Sequence, residues 1–173
     1  MTDADREIAV RVRELKDAFD RTFASPAAGP EHREEFLIVR ADTGNYAFQL
    51  NSLAGLVKDR KIVSLPMRVA GLLGLAGFQG RMVPVFSLAS LLGYGSETGP
   101  ASWLAVCKAE ETVALAFGRI HASARVTASE MYEEESTGVL PVSRRSFRLE
   151  SGIVRVIDVP AVVALACERL SKS

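Results

Sequence analysis

Neither sign of charge prevails in this sequence: Lys+Arg and Asp+Glu each number 21 in 173 residues. That balance removes the electrostatic footprint expected of a protein that binds nucleic acid or an anionic membrane. Cysteine is scarce as well. Cys107 and Cys167 stand 60 positions apart with no CxxC, and His32 and His121 are the only imidazoles. A metal cluster or disulfide framework has too few ligands to build on, so both thiols read as small, reduced, apolar side chains. No run of 18 apolar residues occurs, and the opening MTDADREIAV is charged rather than signal-like. Neither a membrane-inserted helix nor a secretory leader is expected, and the chain reads as a soluble cytoplasmic protein.

Signatures of catalysis are missing too. GxSxG, the P-loop, GxGxxG and HExxH are all absent. Gly71, Gly74, Gly77 and Gly80 form a glycine-rich stretch without the lysine and following helix of a phosphate cradle. Close backbone packing between two halves of the fold is the role expected of it. Glu110/Glu111 and Glu133–Glu135 are neighbours on expected loops, whereas acid–base work needs a water-excluded site. No enzyme and no cofactor are expected.

What the sequence does contain is a core. Hydrophobic residues make up 48% of the chain, ample for a folded domain and far from a disordered composition. Residues 3–24 read as an amphipathic helix, with Ile8, Val12, Leu15, Phe19 and Phe23 on one face. Ser25-Pro-Ala-Ala-Gly-Pro30 breaks it, so residues 1–30 form an appendage and 31–173 the domain. The appended helix either docks on its own domain or serves as a partner-binding or self-association face, since five large apolar groups in water are costly.

From Glu34 on, β signals dominate. Residues 35–40 and 45–50 flank a hairpin turn in which Gly44 can supply positive φ. Asn51–Lys58 reads as a short helix with Leu53, Leu56 and Val57 inward, and Lys61–Leu65 as a short strand. The central stretch, 65–94, begins at Leu65-Pro66 and runs through the glycines into a strand at Arg81–Phe86. Pro84 within it implies an edge or bulge. Ser87 suits the N-cap of a short helix ended by Gly93. After a small polar loop at Gly95–Ala101, Trp103–Lys108 and Thr112–Phe117 form a second hairpin, and Ile120–Val126 alternates as a half-buried strand. Residues 130–151 read as a solvated loop carrying Glu133–Glu135 and Arg144-Arg145. Gly152–Ile157 is the last strand, and Asp158 caps a final helix over Val159–Leu170. Val85–Leu92 and Val156–Val163 share one pattern of strand, polar cap and apolar helix, with the caps 71 positions apart. The echo implies two similar halves.

The series Gly74-Leu75-Ala76-Gly77-Phe78-Gln79-Gly80-Arg81-Met82-Val83-Pro84-Val85-Phe86-Ser87-Leu88 resembles the central signature of CheW-like domains, and the likeness extends over about residues 34–168. That resemblance implies a mainly β fold, a pair of five-stranded β-barrels around a shared core with short helices. It also implies a non-enzymatic adaptor that couples the cytoplasmic tip of a chemoreceptor to the regulatory domain of a CheA-type histidine kinase. Leu72, Leu73, Leu75, Phe78, Gln79, Arg81 and Ser87 are then the candidate partner-binding residues. The chain departs from the family pattern at several of these positions. Leu73 replaces an arginine, Gly77-Phe78-Gln79-Gly80 replaces Asn-Leu-Arg-Gly, Ser87 replaces an aspartate, and Phe117-Gly118-Arg119-Ile120 falls where the second half carries Val-Asp-(Arg)-Val. Two further readings follow: a divergent scaffold that self-associates through Phe19 and Phe23 or regulates a kinase without receptor coupling, and a small-ligand-binding barrel or enzyme.

Overall fold

The computed structural model describes residues 32–95, 99–134 and 141–172. The chain divides into two units, Met1–His32 and Arg33–Ser173; the helix expected over 3–24 lies outside the described residues. The second unit is mainly β. Its strands are β1 (Arg33–Ala41), β2 (Gly44–Gln49), β3 (Leu53–Lys58), β4 (Leu72–Phe78), β5 (Arg81–Ser87), β6 (Trp103–Cys107), β7 (Ala114–Phe117), β8 (Arg119–Thr127), β9 (Met131–Glu133), β10 (Val142–Leu149) and β11 (Gly152–Ile157). Two α-helices, α1 (Leu88–Leu91) and α2 (Val159–Ser171), follow β5 and β11.

The strands form two sheets, ordered β8-β1-β2-β11-β10-β9 and β3-β6-β7-β5-β4. Apart from the three-residue β9, the two orders are one topology used twice. In each, a hairpin (β1-β2 or β6-β7) pairs in parallel with the strand that leads into a capped helix. The repeats are interleaved, because the hairpin of each chain half is completed by strands from the other half. Val85 faces Ala114 just as Val156 faces Ala47, and from that pair every ladder position in one sheet acquires a counterpart in the other. The echo seen in sequence is therefore a structural equivalence.

Each sheet curls around its own interior. Phe36, Ile38, Phe147, Val154 and Val156 fill the first, and Ala76, Val83, Val85, Leu104 and Val106 the second. The opposite faces meet in a shared core, where Tyr46 and Phe48 pack with Phe86, Leu115, Phe117 and both helices. Strand alternation explains this double use: Phe36 and Ile38 point into the first interior, Leu37 and Val39 into the shared core. Both faces of these strands are buried, which is why their sequences are continuous apolar runs.

Several local expectations are corrected. Asn51–Lys58 is a single 3₁₀ turn (Leu50–Ser52) followed by β3, whose burial alternates. Gly55 disfavours a helix interior, and here it lets the Phe78 ring close the curl, since a Cβ at Gly55 would lie 2.9 Å from that ring. Leu53 and Val57 pack inward, while Leu56 is exposed. Lys61–Leu65 makes one bridge, Val63 to Leu75, rather than a strand. The hairpin turn takes its positive φ at Asp42 and not at Gly44, consistent with the tolerance of aspartate for that region. Residues 130–151 are not a loop throughout: β9 and the eight-residue β10 lie there, and only part of the segment falls outside the described residues. The Gly95–Ala101 loop is likewise described only in part. Pro84 lies on the half of β5 paired to β4 alone, because the β7 ladder starts at Val85; its missing N–H costs no ladder bond.

Gly74 makes the close approach that its sequence context suggested, but within one half. With φ at 142° it passes so near Val63 that a Cβ would lie 2.1 Å from the Val63 carbonyl oxygen. Gly77 has open space around it.

Candidate protein-partner surfaces

The β4–β5 hairpin carries most of the candidate residues. Its turn is Gln79-Gly80, both at positive φ (48° and 76°), between the paired residues Phe78 and Arg81. Alternation from this turn sends Phe78, Ala76, Val83 and Val85 into the second interior and leaves Leu75, Gly77, Met82 and Pro84 on the opposite side. Leu72 pairs with Phe86 and packs against the shared core. Leu73 is 40% exposed, and Gln79 and Arg81 are exposed at the turn. Ser87 is only 8% exposed, with its hydroxyl accepting the Ser90 N–H as the α1 cap. The structure thus brings Leu73, Leu75, Gln79 and Arg81 to an accessible hairpin, whereas Phe78, Leu72 and Ser87 serve packing and capping. Ile8, Val12, Leu15, Phe19 and Phe23 lie outside the described residues.

Sequence reasoning passed over five exposed residues: Val63, Met67, Met82, Tyr132 and Ile153. Met82 is 58% and Ile153 51% exposed, and they are counterparts, each one residue before an interior valine (Val83 or Val154). Val63 faces Leu75 as Tyr132 faces Ser146, so those two are counterparts as well. Each half presents an exposed apolar pair at the same place. The period-two alternation around Met82 and Ile153 was the signal that could have found them. The rims differ: Ile153 pairs with Arg148 beside an Arg155–Glu134 ion pair 3.7 Å long, whereas Met82 has Gly77 opposite and Arg81 beside it.

Reactive chemistry finds little footing in the described residues. Burial pushes the Cys107 thiol up to about 12, and burial together with nearby Glu111 raises that of Cys167; both are free. Neither is a thiolate nucleophile at neutral pH. Among the described residues no group of three or more His, Cys, Asp or Glu side chains could hold a metal. No described helix is long and apolar enough to cross a membrane.

The second unit is thus a double-layered, internally repeated β domain with capped helices and several exposed apolar side chains. A family model for the CheW-like domain matches residues 35–167, and the chain belongs to the CheW-like domain family. Its fold is similar to the crystal structure of the scaffolding protein TtCheW from Thermoanaerobacter tengcongensis, with a TM-score of 0.64 at 13% identity over 72% of this chain and 88% of that one. A search of curated proteins finds no match.

Proposed function

We propose that this chain is a non-enzymatic adaptor of a chemosensory system, joining a chemoreceptor's cytoplasmic tip to the regulatory domain of a CheA-type histidine kinase. The observation that supports this reading most is the repetition of an exposed apolar pair at counterpart positions: Val63 with Met82 in one half, Tyr132 with Ile153 in the other. A coupling protein needs two contact surfaces on one rigid body, and apolar anchors with polar rims are the usual energetic centres of such contacts. The unlike rims give the two surfaces different partners, because charge decides partner choice more than it adds affinity.

Titration of the purified protein with the cognate kinase regulatory domain and with a receptor hairpin fragment tests this. Met82→Asp and Ile153→Asp are expected to act separately, each weakening one partner at least tenfold and sparing the other. If wild-type protein binds neither partner, the adaptor reading is wrong. The divergent scaffold then takes its place, and sedimentation equilibrium should show oligomers broken by Phe19→Asp or Phe23→Asp.

A further inference from the structure

The counterpart relation exposes an asymmetry of charge. Lys58 faces Trp103 as Arg125 faces Glu35, so residues 58–82 correspond to residues 125–153, with Met82 and Ile153 at their ends. The first stretch holds five lysines and arginines against one acidic residue, Asp59, and the second holds four against five. In a chain without net charge, positive charge is thus concentrated on one crossover. The second stretch also matches its charges by contact: Arg125 pairs with Glu35, Arg145 with Glu34 and Glu134 with Arg155. In the first, Lys58 lies 3.9 Å from Asp59. Arg60, Lys61, Arg68 and Arg81 are exposed, and none of the four makes an ion pair among the described residues.

These cations border an apolar face whose backbone is pinned. The Val63 N–H donates to the Leu75 carbonyl at 2.8 Å and the Leu75 N–H to the Val63 carbonyl at 2.9 Å, which fastens the crossover to β4. Val63 therefore aligns with Leu75, and Leu75 with Pro84; one row further on, Gly77 faces Met82. Alternation turns this set away from the second interior. Val63 is 49% and Met82 58% exposed. A Cβ at Gly77 would meet nothing within 4 Å, so the face keeps a spot without side chain beside Met82. Lys61 precedes Val63 by two residues and shares its side by the same alternation. Arg81 adjoins Met82 at the turn, and Arg60 and Arg68 lie before and after Val63 on the crossover.

An apolar centre bordered by unmatched cations complements a protein surface that is apolar in the middle and acidic at its edge. A basic partner would be repelled, and a nucleic acid would leave the apolar centre unused. We infer that this face docks an apolar segment of a partner protein flanked by aspartate or glutamate. The Ile153 face, with its matched charges, lacks that preference. The inference rests on the adaptor reading for its biological use, but the charge preference is testable without a kinase or receptor.

The test titrates full-length isotope-labelled protein with two capped peptides, each a phenylalanine-leucine pair flanked on both sides by two glutamates or by two lysines. The methyl resonances of Val63 and Met82 are followed. Saturable shifts are expected with the glutamate peptide. Binding should be at least tenfold weaker with the lysine peptide, and at least tenfold weaker in the double variant Lys61→Glu with Arg81→Glu. Arg60→Glu with Arg68→Glu gives a second reversal should the first fail to fold. No saturable shift with the glutamate peptide, equal response to both peptides, or indifference to both reversals overturns the inference. A DNA duplex that binds more tightly than the glutamate peptide overturns it too, as do dimers of the protein that both reversals abolish, since these would seat a second copy on the face. Binding to the kinase regulatory domain and to the receptor fragment then separates the two proposals. The partner weakened by Met82→Asp should be weakened at least tenfold by the reversals, and also by raising salt from about 50 to about 300 mM. Partners that both bind and both ignore the reversals remove the docking role and leave the adaptor standing. Wild-type protein that binds neither sinks the adaptor and leaves the peptide titration to decide the face.

Discussion

The two halves of this domain share a topology and spend their residues differently. The first interior is filled by large groups: the Phe36 and Phe147 rings lie 5.1 Å apart, and a charged network closes one end. At the counterpart positions the second has Leu104 and Ala76, and it draws Phe78 in over Gly55 to complete the curl. The same contrast recurs at the cross-strand pair beside it. Arg125 and Glu35 make an ion pair at 2.8 Å in the first half; at the counterpart pair Lys58 sits 5.8 Å above the Trp103 ring. Topology is thus fixed by which strands pair, while the interior tolerates different solutions provided its volume is filled. The first half closes one end with charged groups, yet each half keeps a cleft, about 430 Å³ beside Phe36 in the first and about 700 Å³ beside Ala116 in the second.

The largest expected effects come from forcing each half to adopt the other's filling. Phe147→Ala should destabilise the domain by about 3–5 kcal/mol in urea unfolding, because it leaves a ring-sized void beside Phe36. The reciprocal Ala76→Phe should cost about 1–3 kcal/mol through overpacking. An Ala76→Phe variant as stable as wild type would mean that the second interior is far emptier than its buried residues indicate. The next effect separates two glycines three residues apart. Gly74→Ala meets both a disfavoured φ and the Val63 carbonyl, and about 2–3 kcal/mol of lost stability is expected. Gly77→Ala has free space and should stay within about 0.5 kcal/mol of wild type.

These residues also mark how far the fold is legible in the sequence. The strand–cap–helix units at Ser87 and Asp158 are legible because a polar cap between an apolar strand and an apolar helix is a local signal; both caps bond the N–H three residues on. The hairpins β1-β2 and β6-β7 are legible from their continuous apolar runs. Strand β3 is hidden because Leu53, Leu56 and Val57 fit a helical spacing as well as a strand; only pairing with β6 decides between them. Strand β10 is hidden because five of its eight residues are arginine or serine, and its place inside the sheet rests on neighbours far away in sequence. The outward patches are hidden for a related reason: Met82 and Ile153 look like core residues until a register says which face they occupy.

Smaller effects probe the charged network and the seam. Arg145→Ala leaves Glu34 without its cation at a partly buried site, where the Arg145 and Glu34 side chains are 35% and 19% exposed. About 1–2 kcal/mol is expected after allowance for solvent screening. Lys58→Ala at the counterpart contact removes an exposed cation–π pair, and about 0.5 kcal/mol is expected. Equal losses from the two would erase the energetic distinction between these contacts.

The last effect lies where the halves meet, and pH reveals it. Tyr46 of β2 and Tyr94 beyond α1 join their hydroxyls at 2.5 Å. One residue before the counterpart of Ala47 stands Val113, and seven residues past the other cap stands Leu165, so the seam has hydroxyls on one side and aliphatic groups on the other. Burial first, and then the bond to Tyr94, holds the Tyr46 phenol above its ordinary value of 10.0. A raised phenol keeps its proton more firmly in the folded state than in the unfolded chain. Its contribution is therefore fully present below pH 10 and declines as pH rises beyond that, when the unfolded chain ionises first. Tyr46→Phe should cost about 1 kcal/mol near neutrality, from the lost bond and the unpartnered Tyr94. It should also flatten the fall in stability above pH 10, so that the variant and wild-type curves converge there. Parallel curves in urea titrations between pH 8 and pH 11 would show that the phenol is not held by the seam, and that the tyrosine side is no more constrained than its aliphatic counterpart.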